Sequence, residues 1–365
     1  IVPDKFKGTL TALQAAEAIA RGWRSVRPAD GLDLLPMSDG GDGFGEIISR
    51  LLGAEPNTVA TVDAAHQPID AAWGWHAATK VAVVESARVV GLAMLPPKKF
   101  HPYDLDTFGL GAVLRAAAAR GAGRCLVGIG GSATNDGGFG LARALGWRFL
   151  TGADAAIERW TDLGELARLA PPLAPIRFHD LTVAVDVQNP LLGPTGCSRV
   201  YGPQKGLVEF DVADRALGRL AEVVAATTGV DYAAQRGAGA AGGLGFGLLA
   251  FAGACLEQGI DIFKRYARLE DRVRASQLVV TGEGAIDAQT LMGKGVGEIA
   301  ALCQRLGVPC LGIAGVVSER ERARERFDAT YALAPDLTDT ASALREPALW
   351  LERAAALAAQ QSASD

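Results

Sequence analysis

The sequence predicts an α/β protein of two domains, in which a doubly wound parallel sheet is interrupted by a large inserted α/β domain with some antiparallel strands. Three observations carry this expectation. At 365 residues the chain exceeds the size at which a single hydrophobic core keeps growing. Both ends repeat a strand-then-helix rhythm, and the stretch between them opens with short alternating runs spaced like antiparallel strands.

At the amino end, Ile1 to Asp4 reads as a short apolar strand. Thr11, with Gln14 three residues on, forms a capping box that starts a helix from about Ala12 to Val26. Leu32 to Met37 follows as a buried strand, Ser38 to Gly45 as a loop and Glu46 to Leu52 as a helix. Near the carboxyl end, Gln277 to Thr281, Pro309 to Ala314 and Ala329 to Leu333 read as strands. Helices from Gly297 to Leu306, Ser318 to Arg326 and Ala341 to Ala359 alternate with them. Joined, these pieces predict a five-stranded parallel sheet of order 2-1-3-4-5 over residues 1–64 and 270–365. Pro3 to Gly8 and Gly282 to Asp287 then face each other at the switch in strand order, beyond the carboxyl ends of the strands.

The inserted domain is expected at residues 65–269. Its antiparallel portion is drawn from Thr58 to Asp63, Ile69 to Trp75 and Val81 to Glu85. The helix Gly111 to Arg120, the strand Arg124 to Ile129, the helix Gly138 to Leu145 and the strand Leu181 to Val185 restore the α/β pattern.

Composition narrows the function. A net charge of −5 without a basic stripe argues against a nucleic-acid partner. No apolar run reaches the roughly 18 residues of a membrane span, so no membrane partner and a cytoplasmic location are expected. The chain opens at Ile1 in what reads as the middle of a strand, which leaves room for residues or a targeting segment upstream. Cys125, Cys197, Cys255, Cys303 and Cys310 are odd in number and form no CxxC pair, so they read as small core hydrophobes in a reducing compartment.

Chemistry concentrates in five polar, glycine-rich segments: Asp4 to Thr9, Ser38 to Gly43, Gly128 to Gly138, Gly237 to Gly245, and Thr281 to Gly284 with Asp287, Gln289, Thr290, Gly293 and Lys294. Glycine with Ser and Thr ahead of a helix lets backbone N–H groups point at an anion, and Gly130 to Asn135 is the best such phosphate cradle. Gly237 to Gly242 follows a helix and a loop, so it reads as tight backbone packing or substrate approach. Asp4, Asp39, Asp42, Asp136, Asp186, Glu283 and Asp287 lie in these loops or at strand ends, and suggest Mg²⁺ and a base. Lys7, Lys205 and Lys294 are the cations within reach of a phosphate or a carboxylate. The chain lacks the P-loop pattern and the G-x-S-x-G elbow, no G-x-G-x-x-G dinucleotide fingerprint opens the helix of its first βα unit, and its four histidines form no metal-binding pair.

The runs PDKFKGTL (Pro3 to Leu10), PMSDGGDG (Pro36 to Gly43), GIGGSATNDGG (Gly128 to Gly138), DVQNPLLGPTGCSRVYGPQKG (Asp186 to Gly206), GAGAAGGLG (Gly237 to Gly245) and TGEGAIDAQTLMGKG (Thr281 to Gly295) resemble those of bacterial glycerate kinases of the first type. The resemblance extends from the first residues to about Gly315. It implies a transferase with ATP as donor, Mg²⁺, D-glycerate as acceptor and 2-phosphoglycerate as product. It also implies two α/β domains, one of them flavodoxin-like, with the site in the cleft between them.

Carried over, the resemblance marks Asp4, Asp39, Gly40, Gly41, Gly130, Gly131, Ser132, Thr134, Asn135, Asp136, Asn189, Gln204, Lys205, Gly282 and Glu283 as substrate or nucleotide residues. Within the set, Asp186 is expected as base, Lys294 and Lys7 as catalytic cations, and Asp287 and Asp39 as magnesium ligands. The chain departs from the family's pattern at Lys5 and Thr9, across Glu85 to Leu92, and across Asp106 to Gly111. A kinase of a related hydroxy acid and a non-catalytic phosphometabolite-binding regulator are the competing readings, an NAD-dependent oxidoreductase being disfavoured by the missing fingerprint. A homodimer is compatible with any of them.

Overall fold

The computed structural model describes residues 1–292 and 295–362. In chain order the strands are β1 (Val2–Pro3), β2 (Glu55–Val62), β3 (Pro68–His76), β4 (Val81–Glu85), β5 (Arg124–Gly128), β6 (Arg148–Leu150), β7 (Arg168–Ala170), β8 (Asp180–Val185), β9 (Cys255–Gln258), β10 (Val279–Ile286), β11 (Cys310–Val317) and β12 (Ala329–Ala332). The chain divides into two compact units, residues 1–38 with 263–365 and residues 39–262. The division therefore falls earlier than the expected 64/65 and 269/270. The reason is local: β2 pairs antiparallel with β3 along its whole length, and the helix Phe44–Leu52 packs on β3 and β4, so residues 39–64 belong to the second sheet.

The first unit holds a parallel sheet of order β1-β10-β11-β12. The expected strand over residues 32–37 is present as an extended edge without a regular ladder: the Leu35 N–H donates to Ile1 O at 2.8 Å and the Met37 N–H to Pro3 O at 2.9 Å. With that edge included, the order is the anticipated 2-1-3-4-5. The helix Ala12–Val26 begins at the Thr11/Gln14 capping box and buries Ala15, Ala18, Ile19 and Trp23 against Leu351, Ala354, Ala355 and Ala358 of the helix Pro347–Gln361. Small alanine faces let the two helices approach closely, and full burial of Ile19 and of Leu351 contributes about 2 kcal/mol each. The predicted last helix is two, Thr340–Arg345 and Pro347–Gln361, because Pro347 lacks the N–H that would continue the first and is pre-set to open the second. The charged helix near Ser318 shrinks to Arg320–Ala323.

The second unit holds a six-stranded sheet of order β2-β3-β4-β5-β8-β9, with β2, β3 and β4 antiparallel and β4, β5, β8 and β9 parallel. A separate two-stranded ribbon pairs β6 with β7. Alternation decides the faces of β3: Ala71, Trp73 and Trp75 enter the core with Val84, Val113, Leu114 and Val127, while Gly74 turns toward Ser49. Because β4, β5 and β8 run parallel, the loops that follow them all leave at one edge of the sheet.

Cys125, Cys197, Cys303 and Cys310 are buried as expected, Cys255 is exposed, and all five are free thiols. Among the described residues no helix is long and apolar enough to cross a membrane.

Candidate functional site

In the second unit, the segment ahead of the helix Phe44–Leu52 folds over the carboxyl ends of the parallel strands. A Cβ added at Gly40 would lie 3.0 Å from the Ala184 Cβ near the end of β8, and one added at Gly130 would lie 2.5 Å from the Gly41 Cα. The Gly130 N–H donates to Gly40 O at 3.3 Å. Two glycine-rich loops far apart in sequence thus meet backbone to backbone, which only residues without a side chain permit. The Gly41 N–H donates to Asp39 Oδ1 at 3.1 Å, fixing that carboxylate at the junction, with Gly131 exposed beside it. Asp186 follows β8 directly and is exposed at the same edge.

Glu85, the last residue of β4, was not among the residues singled out for the site. Its buried carboxylate accepts from the Gly43 N–H at 2.8 Å and from the Gly45 N–H at 3.0 Å, and so clamps the end of the Asp39–Gly43 loop. The signal available in the sequence was an acid ending an otherwise apolar strand three residues before Arg88.

The Ser132–Asp136 stretch is held from several sides. The Ser132 and Thr134 hydroxyls share a 2.9 Å hydrogen bond, and the Thr134 N–H donates to Ser132 Oγ at 3.1 Å. Lys205 donates to Thr134 O at 2.6 Å. Burial lowers the Lys205 ammonium to about 8, against the favourable charges of Cys197 and Asp136. Asn135 donates to Ser198 Oγ at 3.0 Å, while its buried Oδ1 has no hydrogen-bond partner among the described residues. Gly242, with a φ of +70°, packs its Cα directly against Thr134 O. The Gly237–Gly245 stretch therefore serves tight backbone packing, one of the two roles read for it.

Asp136 differs from expectation. It is fully buried, and its Oδ2 accepts from the Thr107 N–H at 2.9 Å, the Thr107 hydroxyl at 2.7 Å and the Gly140 N–H at 2.9 Å. Burial, with a smaller contribution from Asp106, raises its carboxyl to about 6 despite those bonds. The start of the helix Phe139–Ala144 is therefore capped from within and not open to an external anion, which leaves the backbone ahead of it as the cradle. Asn189, only partly buried, is also spent on internal bonds: it donates to Thr195 O at 2.8 Å and accepts from the Tyr201 hydroxyl at 2.6 Å, tying the loop after β8 to the helix Cys197–Lys205. Burial, then the charge of Asp186, pushes the Tyr201 phenol up to about 12. Gln204 is exposed on that helix. Where the chain departs from the family pattern, Asp106 accepts from the Phe108 N–H at 2.9 Å and lies 3.0 Å from His66 Nε2.

In the first unit the two switch-point loops are adjacent, as the strand order demands. The Asp4 N–H donates to Gly282 O at 2.8 Å, and Asp4 Oδ1 accepts from the Lys5 N–H at 2.7 Å. Lys7 is exposed on the turn that follows, and a Cβ added at Gly284 would be 3.5 Å from its backbone nitrogen. Glu283 Oε1 accepts from the Thr290 hydroxyl at 2.7 Å. Asp287 Oδ1 caps the short helix Ala288–Leu291 through the Gln289 and Thr290 N–H groups at 2.8 and 3.3 Å. Lys294 lies outside the described residues.

Among the described residues no group of three or more His, Cys, Asp or Glu side chains is arranged to hold a metal ion. Magnesium asks for less, one or two carboxylates with the remaining positions filled by water and phosphate oxygens. Asp39, oriented by one backbone N–H, and Asp287, oriented by two on the same oxygen, fit that role singly.

A profile described as the Glycerate kinase family matches residues 1–362. The chain is 38% identical over 362 residues to the glycerate kinase of Halalkalibacterium halodurans, covering 97% of this chain and 95% of that one. It is 36% identical over 331 residues to the glycerate 2-kinase of Escherichia coli K12, covering 87% and 85%. The crystal structure of a Salmonella typhimurium LT2 chain bearing the name glycerate kinase 2 superposes with a TM-score of 0.82 at 32% identity, over 100% of this chain and 97% of that one.

Proposed function

The chain belongs to the glycerate kinase family, phosphotransferases with an alcohol group as acceptor, and from that membership we propose that it moves the γ-phosphoryl group of ATP onto D-glycerate, giving 2-phosphoglycerate. The observation that carries the reading is the meeting of Asp39–Gly41 with Gly130–Gly131 at the strand edge where Asp186 stands. Bare backbone beside an exposed carboxylate suits a phosphate approaching an acceptor hydroxyl.

In this reading Asp186 accepts the proton of the attacking hydroxyl. It is exposed at the end of β8, and the Asn189–Tyr201 bond fixes the loop that follows it. Lys7 and Lys294 balance phosphate charge, while Asp4, Gly282 and Glu283 with Ser132, Thr134 and Asn135 position the substrates. Lys205 keeps the Thr134 carbonyl in place, and Gln204 lies on the solvent side of the same helix turn. Asp39 or Asp287 would hold a magnesium ion, which would neutralise charge on the phosphate oxygens. Orientation of two reactants is worth about 7–11 kcal/mol of barrier, more than a single base provides.

A coupled ADP-release assay across a panel of small hydroxy acids tests the proposal. D-Glycerate should give the highest kcat/KM. A chain that releases no ADP with any hydroxy acid, or that prefers another acid by more than tenfold, refutes it.

A further inference from the structure

A pocket lies in the second unit, between the helix Phe44–Leu52 and the face of β3 and β4 that Gly74 occupies, with a volume of about 340 Å³. That is the small end of the range for ligand pockets, about 300–1,000 Å³. Ala54, Pro56, Ala72 and Val83 give it apolar walls. Its polar groups are Ser49, Arg50 and Arg88 with two glutamates.

The arginines differ in how they are held. Arg88 is shared between Glu85, at 3.4 Å from its Nε, and Glu46, at 3.5 Å from its Nη2, both long contacts. Arg50 enters no ion pair or side-chain hydrogen bond among the described residues. Two arginines lining a pocket with apolar walls, one unpaired and the other loosely paired among the described residues, match an anionic head on an apolar body.

We propose that this pocket is an effector site for a small amphipathic anion, an aryl or short-chain carboxylate or phosphate monoester, with its head between Arg50 and Arg88. The wall it shares with the rest of the unit gives it a readout. Glu85 lines the pocket and also holds the Gly43 and Gly45 N–H groups, so an anion that draws Arg88 away changes the charge balance on the carboxylate clamping the Asp39–Gly43 loop. The binding half stands on the pocket alone; the effector half rests on the proposed role of that loop in the kinase reaction.

Isothermal titration of the full chain with phenyl phosphate and with benzoate, against neutral benzyl alcohol, tests the site. Both anions should bind at one site and the alcohol should not. Arg50→Glu should weaken that binding at least about tenfold by replacing attraction with repulsion. Because the titration needs no turnover, a chain inactive on D-glycerate still tests the pocket. In the active chain, saturating phenyl phosphate should shift KM for ATP at least twofold, and Arg50→Glu should remove that shift with basal kcat unchanged. The site is overturned by no binding at millimolar concentration, by binding that survives Arg50→Glu, or by binding that ATP or D-glycerate displaces competitively. Binding that leaves KM unmoved overturns the effector role.

Discussion

Replacing Gly242 by alanine probes how the glycine-rich stretch shapes the Thr134–Asn135 backbone. The added methyl would fall 1.9 Å from Thr134 O and 2.7 Å from the Asn135 Cα, both backbone atoms that cannot rotate aside. At a φ of +70° a residue with a Cβ also costs about 1–2 kcal/mol. Overpacking adds about 1–3 kcal/mol, so the loss should total about 2–5 kcal/mol from a stability of about 5–15 kcal/mol. Gly53→Ala is the matched control, with a φ of +68° and nothing within 4 Å of the added carbon, so it should lose only the conformational part. Urea denaturation of both variants measures the difference. Steady-state kinetics then asks whether displacing Thr134, the acceptor for Lys205, lowers kcat beyond what partial unfolding explains. Equal losses for the two variants, or a loss under about 1 kcal/mol for Gly242→Ala, would refute the packing argument.

Other expectations are independent of that one. Asp186→Asn should reduce turnover at least about a hundredfold with nucleotide affinity nearly intact, and near-normal kcat would remove Asp186 from the role of base. Asp136, raised from 3.8 to about 6 by burial, contributes stability that is full below about 3.8 and lost as pH rises through about 6. That change amounts to about 3 kcal/mol, so Asp136→Asn should flatten the pH dependence of the melting temperature across this window, and an unchanged slope would contradict it. Lys205 has the opposite sense, its folded value of about 8 lying below the ordinary 10.5. Its contribution is present above 10.5 and lost as pH falls through about 8, so Lys205→Met should flatten stability between those values, seen in melts from pH 7 to 11. Asp287→Ala should cost about 1 kcal/mol by uncapping the helix Ala288–Leu291, and a denaturation midpoint equal to that of the unaltered chain would contradict the cap.

The fold was legible where local chemistry and tertiary packing agree. Thr11 and Gln14 announced the helix Ala12–Val26 because a capping box satisfies N–H groups whatever the rest of the chain does. The runs at β2 and β3 alternated over partly buried strands, whereas β4, also read as alternating, is buried along its whole length. The unit boundary was misplaced because residues 39–64 look the same in sequence whichever sheet they join, and only the pairing of β2 with β3 assigns them. Pro347 was the overlooked break in the last helical stretch.

The site was legible as a set of loops more than as a set of roles. Tight backbone packing was read for Gly237 to Gly242, and Gly242 shows it; Gly40 and Gly130, read as anion-binding positions, also approach other backbone closely. Polar residue type could not separate a side chain that faces a substrate from one turned inward. Asp136 and Asn189 are spent on internal bonds, and Glu85, hidden at the end of an apolar strand, clamps a loop 40 residues earlier. Such partners are set by tertiary distance, which sequence spacing does not carry.

Phosphorus NMR of the chain incubated with ATP, magnesium and D-glycerate examines phosphoryl transfer most directly. The proposed product carries phosphate on a CH oxygen, so its phosphorus signal should split into a doublet from one neighbouring proton as the γ signal of ATP disappears. A triplet would place the phosphate on the CH₂ oxygen, and growth of inorganic phosphate alone would contradict transfer to the acid altogether.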